Sequence, residues 1–346
     1  MNIQLLIPIA FKNSDISNKL NETVLAGDIG GTKANMTLNR LKDGEIVTIK
    51  ESRFASKDYS SFSDILTHFL EGQPKPDKIC LSVAGPVIDR KVKFTNLDWH
   101  IDIDEISKQL AGCPVALLND LEATAYGLAA MKKEELSVLH QGTHFTPGNI
   151  GILAAGTGLG EAGLFFDGQQ YHPFATEGGH SDFAPRTLQD IAMLHFLQER
   201  HEHVSWERLL SGNGIFTIWE FLTTIEKKDS PAWLQEAMTL KDPASVISKA
   251  AGDKSCSVCM EAIALFNRYL AIEAVNLILK YKATGGLYLA GGIAPKILPQ
   301  LDTQVWKEVF NTSGRMKKLL EEVTVSVMLN EKAPLLGSSY YAWLNM

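Results

Sequence analysis

Asp28-Ile-Gly-Gly-Thr-Lys33 follows directly on the apolar run Val24-Leu25-Ala26, and how this junction is read decides the fold. Gly30 and Gly31 permit a tight turn that a side chain would block, with backbone N–H groups facing whatever fills it. An acid at a strand end, a Gly-Gly turn and the Thr32 hydroxyl suit a metal-bound phosphate better than a packed core. The same residues also suit an ordinary β-hairpin turn, and the stretch alone does not choose. A second stretch answers the first. Ile150–Ala155 is an apolar strand, Gly156-Thr157-Gly158 a turn, and Glu161–Phe166 a second strand. The repeat points to two related halves and to a nucleotide held by two glycine turns.

Two competing motifs are excluded by context. Gly158-Leu-Gly160-Glu-Ala-Gly163 is a literal GxGxxG. A dinucleotide fold would need a helix to open inside it, and a strand follows instead. Neither turn matches GxxxxGK[ST], so the chain is not a P-loop enzyme. In this reading Asp28 faces a metal directly or through water, while Thr32 and Thr157 donate to phosphate oxygens. Each threonine serves equally as a turn-stabilising hydroxyl.

The 346 residues are 45% hydrophobic and 21% charged, which describes a globular protein long enough for two domains. The net charge of −7 argues against nucleic acid or an anionic membrane as the main partner. No run of apolar residues reads as a bilayer span. Residues 1–22 lack the basic start and cleavage site of a signal sequence and read as an extension ahead of the first core strand. The four cysteines include Cys256-Ser-Val-Cys259, a lone CxxC without the second ligand pair that zinc needs. Reduced cysteines and a cytoplasmic location are expected.

Strand-like runs at Val24–Ile29, Ala34–Leu38 and Glu45–Lys50 predict a meander. Helical and apolar segments then alternate: Phe62–Leu70, Lys78–Ala84, Ile103–Leu110, Val115–Leu118 and Leu121–Met131. This predicts a mixed sheet with helices over the first 130 residues. Beyond the second glycine turn the chain is helix-rich, with Val258–Tyr281 the strongest helix, Leu287–Ala290 and Val323–Leu329 strand-like, and Ala333–Trp343 a last helix. The domains expected are 23–130 with 330–346, and 131–329, without a low-complexity linker.

Three further clusters carry chemistry. Leu117-Leu118-Asn119-Asp120 ends an apolar strand in an amide and an acid just before a helix. Such a carboxylate can accept a proton from an attacking hydroxyl. Position alone favours a plain helix cap. Glu177-Gly-Gly-His180-Ser-Asp-Phe-Ala-Pro-Arg186 brings an acid and an imidazole together over close-approaching backbone. That suits a polyol, though a salt-bridged loop has the same composition. Glu207, shortly before Gly212-Asn-Gly214, reads by default as a surface charge.

In combination these segments resemble the bacterial glucokinase family of the sugar kinase/Hsp70/actin superfamily. The resemblance rests on Gly27-Asp-Ile-Gly-Gly-Thr-Lys33, Val83-Ala-Gly-Pro-Val87, Thr95-Asn-Leu-Asp-Trp99, Leu118-Asn-Asp-Leu-Glu122, Ala155-Gly-Thr-Gly-Leu-Gly160, Glu177-Gly-Gly-His-Ser-Asp-Phe-Ala-Pro185, Leu210-Ser-Gly-Asn-Gly214 and Leu289-Ala-Gly-Gly-Ile293. All eight occur in family order. The resemblance implies an α/β, two-lobed actin-like ATPase fold, each lobe a ribonuclease-H-like mixed sheet flanked by helices, with the active site in the cleft.

It implies ATP and Mg²⁺, glucose as acceptor, and a homodimer. Asp120 becomes the general base toward the sugar 6-hydroxyl. Asn119, Glu177, His180, Glu207 and Asn96 fall to sugar binding. Asp28, Gly30, Gly31, Thr32, Lys33, Gly156, Thr157 and Gly158 fall to the two phosphate turns, Asp28 also to the metal, and Gly291 and Gly292 to the adenosine side. Lys33 departs from the Asn usual in close relatives and matches the neighbouring ROK group. The cysteine-rich zinc motif and the helix-turn-helix of that group are absent. A kinase of fructose or mannose is the nearest alternative, and a non-catalytic sugar-sensing regulatory protein the alternative from another class.

Overall fold

The computed structural model describes residues 5–12, 21–42, 45–85, 87–94 and 99–346. It divides into two compact units, Met1–Glu135 with Gln169–Ala175 and Asn330–Met346, and Leu136–Gly168 with Thr176–Leu329.

In the first unit, β1 (Thr23–Ile29), β2 (Lys33–Lys42) and β3 (Glu45–Ala55) form the antiparallel meander. β4 (Lys78–Val83) then returns parallel beside β1. A small antiparallel pair, β5 (Lys91–Lys93) and β6 (His100–Asp102), intervenes before β7 (Val115–Asn119), which runs parallel to β4. The order β3-β2-β1-β4-β7 puts the most apolar strand at the centre. Val24, Leu25, Ala26 and Ile29 are wholly buried there, as both faces of a central strand must be. Helix Phe62–Leu70 covers one side through Phe62, Ile65, Leu66 and Phe69. Helix Ala333–Asn345 packs on β1, on β4 and along helix Asp120–Ala130.

The described part of the N-terminal extension belongs to this unit. Leu6 N–H donates to the Ala129 carbonyl, and Ile9 makes a parallel bridge to Tyr171. Ile9 is buried and Phe11 stacks on Tyr126 with ring centroids 5.5 Å apart. Residues 5–12 therefore cover the helix that begins at Asp120.

The second unit repeats the plan. Its strands are β8 (Leu136–His140), β9 (Ile150–Ala155), β10 (Leu159–Phe166), β12 (Gly286–Ala290) and β13 (Val325–Met328); β11 (Tyr171–Thr176) lies between β10 and β12 in sequence. β9 and β10 form the hairpin, β9, β12 and β13 run parallel, and β8 pairs antiparallel with β13. Hairpin first, parallel strands after: the topology matches that of β1, β2, β4 and β7. The suspected internal repeat is thus real. The Ser257–Tyr281 helix fills this unit's core with Phe266, Tyr269, Leu270, Ala274 and Leu277. Against expectation, its length and composition suffice to cross a membrane. Its apolar window is 78% buried within the protein, as a core helix requires.

Candidate active site

Three parallel strands of the first unit end together. Ile29 lies beside Val83, and Val83 beside Asn119. At or just past these ends stand the described candidate residues of this unit. The turn after β1 is closed by Gly30 N–H donating to the Lys33 carbonyl (2.8 Å). It is braced by Ser56, whose hydroxyl donates to Gly30 O (3.1 Å) and whose N–H donates to Thr32 O (3.1 Å). Sequence reading missed Ser56, which sits beyond the far end of β3. The Thr32 and Lys33 side chains are exposed.

Asp28 faces its cross-strand neighbours. Its carboxylate accepts from Asn35 Nδ2 (3.1 Å) and, at the limit of hydrogen bonding, from Ser82 Oγ (3.4 Å). Burial pushes its pKa up more than these donors pull it down. Among the described residues it meets no cationic side chain. A half-buried carboxylate lacking a positive partner fits a cation-binding role. No cluster of three or more His, Cys, Asp or Glu occurs among the described residues, so a divalent ion here would draw its other ligands from phosphate and water.

Sequence reading started the next helix at Leu121. The structure starts it at Asp120, with Asn119 as the cap. Leu121 N–H donates to Asn119 Oδ1 (2.9 Å) and also to Asp120 Oδ1 (2.9 Å). The cap and the acid are therefore different residues. Asn119 carries the capping duty, and its Nδ2 faces the Gly85 carbonyl at 3.5 Å. Half-buried Asp120 occupies the first helical position, where the positive end of the helix dipole favours a carboxylate. Asn96 lies outside the described residues.

In the second unit the turn after β9 is closed by Gly156 N–H donating to Gly158 O (2.8 Å). Gly156 O accepts from Gly212 N–H (2.9 Å), which fastens the turn to the start of helix Gly212–Thr224. Thr157 is exposed at its tip. Gly291 has φ +79°, and a Cβ there would strike the Ala155 backbone. Gly291 thereby lies against the strand that enters the Gly156 turn, and Gly292 caps helix Ile293–Lys296.

The polar cluster is a short 3₁₀ turn. His180 N–H donates to Glu177 O (3.0 Å) and Ser181 N–H to Gly178 O (2.9 Å). The Glu177 and His180 side chains are exposed and make no ion pair or hydrogen bond among the described residues. The salt-bridged loop does not form from them. Asp182 of this segment is instead hydrogen-bonded to His203, Nε2 to Oδ1 at 2.9 Å. Glu207 is not a surface charge either. It is half-buried, and Leu159 N–H donates to its Oε2 (3.0 Å). Trp206 N–H donates to Ser181 O (3.0 Å), so the Glu207 segment is bonded to the glycine turn on one side and to the Glu177–His180 turn on the other.

Two sheets of this topology, each with a glycine turn in its hairpin, are those of an actin-like ATPase fold. A crystal structure of a glucokinase from an Antarctic psychrotroph has the same architecture, at 30% identity and a TM-score of 0.77, covering 92% of this chain and 98% of that one. A ROK family glucokinase from Streptomyces griseus, in complex with glucose and AMPPNP, shares the fold at 20% identity and a TM-score of 0.62, covering 92% and 99%. The glucokinase of Trichormus variabilis is 37% identical over 336 residues, covering 92% of this chain and 98% of its own. The glucokinase family model matches residues 25–344, and the chain belongs to that family.

Proposed function

We propose that the chain transfers the γ-phosphoryl group of ATP to the 6-hydroxyl of glucose, giving glucose 6-phosphate and ADP. The observation that carries the reading is Glu207. One carboxylate oxygen receives the N–H that follows the glycine turn, while its segment is bonded to the turn bearing Glu177 and His180. The second glycine turn and the Glu177–His180 turn are thus joined through the Glu207 segment, which supports assigning them to one site.

In the proposed mechanism Asp120 accepts the 6-hydroxyl proton as that oxygen bonds to phosphorus and the bond to ADP breaks. Asn119, Glu177, His180, Glu207 and Asn96 orient the sugar through its other hydroxyls. Gly30, Gly31, Thr32 and Lys33 face the phosphates together with Gly156, Thr157 and Gly158, and Gly291 and Gly292 adjoin the adenosine. Asp28 would hold Mg²⁺, directly or through water, and the ion when bound supplies positive charge to the phosphate oxygens. Catalysis on this account comes from positioning and from charge complementarity. A cytoplasmic location and a homodimer belong to the same proposal, and sedimentation of the purified chain tests the dimer.

A coupled ADP-release assay over a panel of hexoses, run on wild type and on Asp120→Ala, tests the function. Glucose is expected to give the highest kcat/KM, and the variant to lose at least about 10²-fold in rate. A preference for fructose or mannose would reassign the acceptor. Sugar binding without turnover would mark a regulatory protein, and full activity in the variant would remove Asp120 from its role.

A further inference from the structure

Below the Glu177–His180 turn lies a pair of acids that the mechanism does not use. Glu161, on β10, and Glu273, in the Ser257–Tyr281 helix, are 1% and 0% exposed. Glu273 Oε2 accepts from Asn276 Nδ2 (2.7 Å). Oε1 of Glu161 and Oε1 of Glu273 are both buried without a donor. Each acid influences the titration of the other, so the two carboxyls are neighbours, and one proton shared between them spares the site a second buried negative charge. We propose that Glu161 and Glu273 share one proton, and that this pair sets the position of the sugar-binding turn.

Two contacts connect the pair to the turn. A Cβ on Gly178 would overlap Glu161 Oε2, so the backbone between Glu177 and His180 rests on that carboxyl. The Glu161 main-chain carbonyl accepts from Thr176 Oγ1 (2.9 Å), and that hydroxyl receives the Gly178 N–H (3.2 Å) and the Tyr281 hydroxyl (3.1 Å). Moving the Glu161 side chain therefore moves Gly178, with Glu177 and His180 on either side.

The charged neighbours are few. Lys280, on the Glu273 helix, places Nζ 3.7 Å from Glu273 Oε1. Arg186 lies close enough on the loop after the turn to feel Glu273. Tyr281 feels both acids, which with burial raise its pKa. These groups suit one negative charge better than two. Burial and the Glu161 carboxylate push the Glu273 pKa up to about 8. Loss of the shared proton in mild alkali would put two like charges in contact beneath the turn. The pair is a positioning device and touches no substrate.

Its kinetic test rests on the proposed function, and its spectroscopic test does not. Infrared difference spectra of wild type between about pH 6 and about pH 10 should show a protonated carboxylic acid lost with a midpoint close to that of the pair. The band should be missing in Glu273→Gln, whose amide donates to Glu161 without a shared proton. KM for glucose should rise severalfold in wild type over the same range, with kcat changing less. Glu161→Gln and Glu273→Gln should flatten that rise, and Glu161→Ala should raise KM at every pH. The absence of an acid band in wild type, or an alkaline rise of KM that persists in both Gln variants, would overturn the proposal. So would a band whose loss leaves KM unchanged. Failure of wild type to phosphorylate glucose would instead count against the proposed function, with the infrared result still judging the pair.

Discussion

Asp28 shows how one half-buried side chain couples stability to binding. Its raised pKa means that the folded protein holds the proton more tightly than the unfolded chain does. The associated stability is full below the ordinary carboxylate range and is lost as pH rises through the folded value. Asp28→Asn should therefore melt a few degrees above wild type at neutral pH in the absence of nucleotide. The gain should vanish on acidification, and the variant should need more Mg²⁺ for turnover. Scanning calorimetry at two pH values checks the first part; a lower melting temperature at neutral pH would contradict it. Asn119 has the opposite character, since its oxygen is committed to Leu121 N–H. Asn119→Ala should cost about 1 kcal/mol in urea unfolding, as loss of a cap does, beyond any effect on sugar affinity.

Among the elements, the glycine turns were legible because local residues make them. An apolar strand, two or three small residues and a second strand specify a hairpin without help from elsewhere, and both β1–β2 and β9–β10 form as read. Asp120 was legible as an acid at a strand end but not separable from a cap, because capping has the same local signature. The structure separates them by assigning the cap to Asn119. Glu207 was singled out only through the family resemblance and read locally as a surface charge, since its partner, Leu159 N–H, lies 48 residues away. Glu161 left a faint signal as the one acid in an apolar strand, but nothing local pointed to Glu273. Strand β8 was not read from the sequence, and the four helices between Leu188 and Gly252 were covered only by a general expectation of helix-rich structure. The turn at Gly291 gives a prediction at this scale. Gly291→Ala meets both a left-handed φ and the Ala155 backbone, a strain of about 1–3 kcal/mol. KM for ATP should rise more than KM for glucose, and equal rises would argue for general damage to the unit.

At the scale of the whole molecule, the folded state holds a proton that the unfolded chain releases. Glu273 titrates near 4.5 when free and is pushed to about 8 in the fold, so stability should fall as pH rises between those values and level off above them. Glu273→Gln should flatten that slope, as urea unfolding across the range would reveal. Ligands act in the opposite direction. Glucose at about 100 times its Kd should stabilise the chain by about 2.7 kcal/mol if it binds the folded state alone. The proposed reaction is a phosphoryl transfer to one sugar oxygen. The most direct measurement is the phosphorus NMR spectrum of the product formed from ATP, Mg²⁺ and glucose. The expected product is a sugar phosphomonoester on the 6-oxygen, formed in step with ADP and suppressed in Asp120→Ala. Inorganic phosphate in place of that ester, or a phosphate on another hydroxyl, would contradict it.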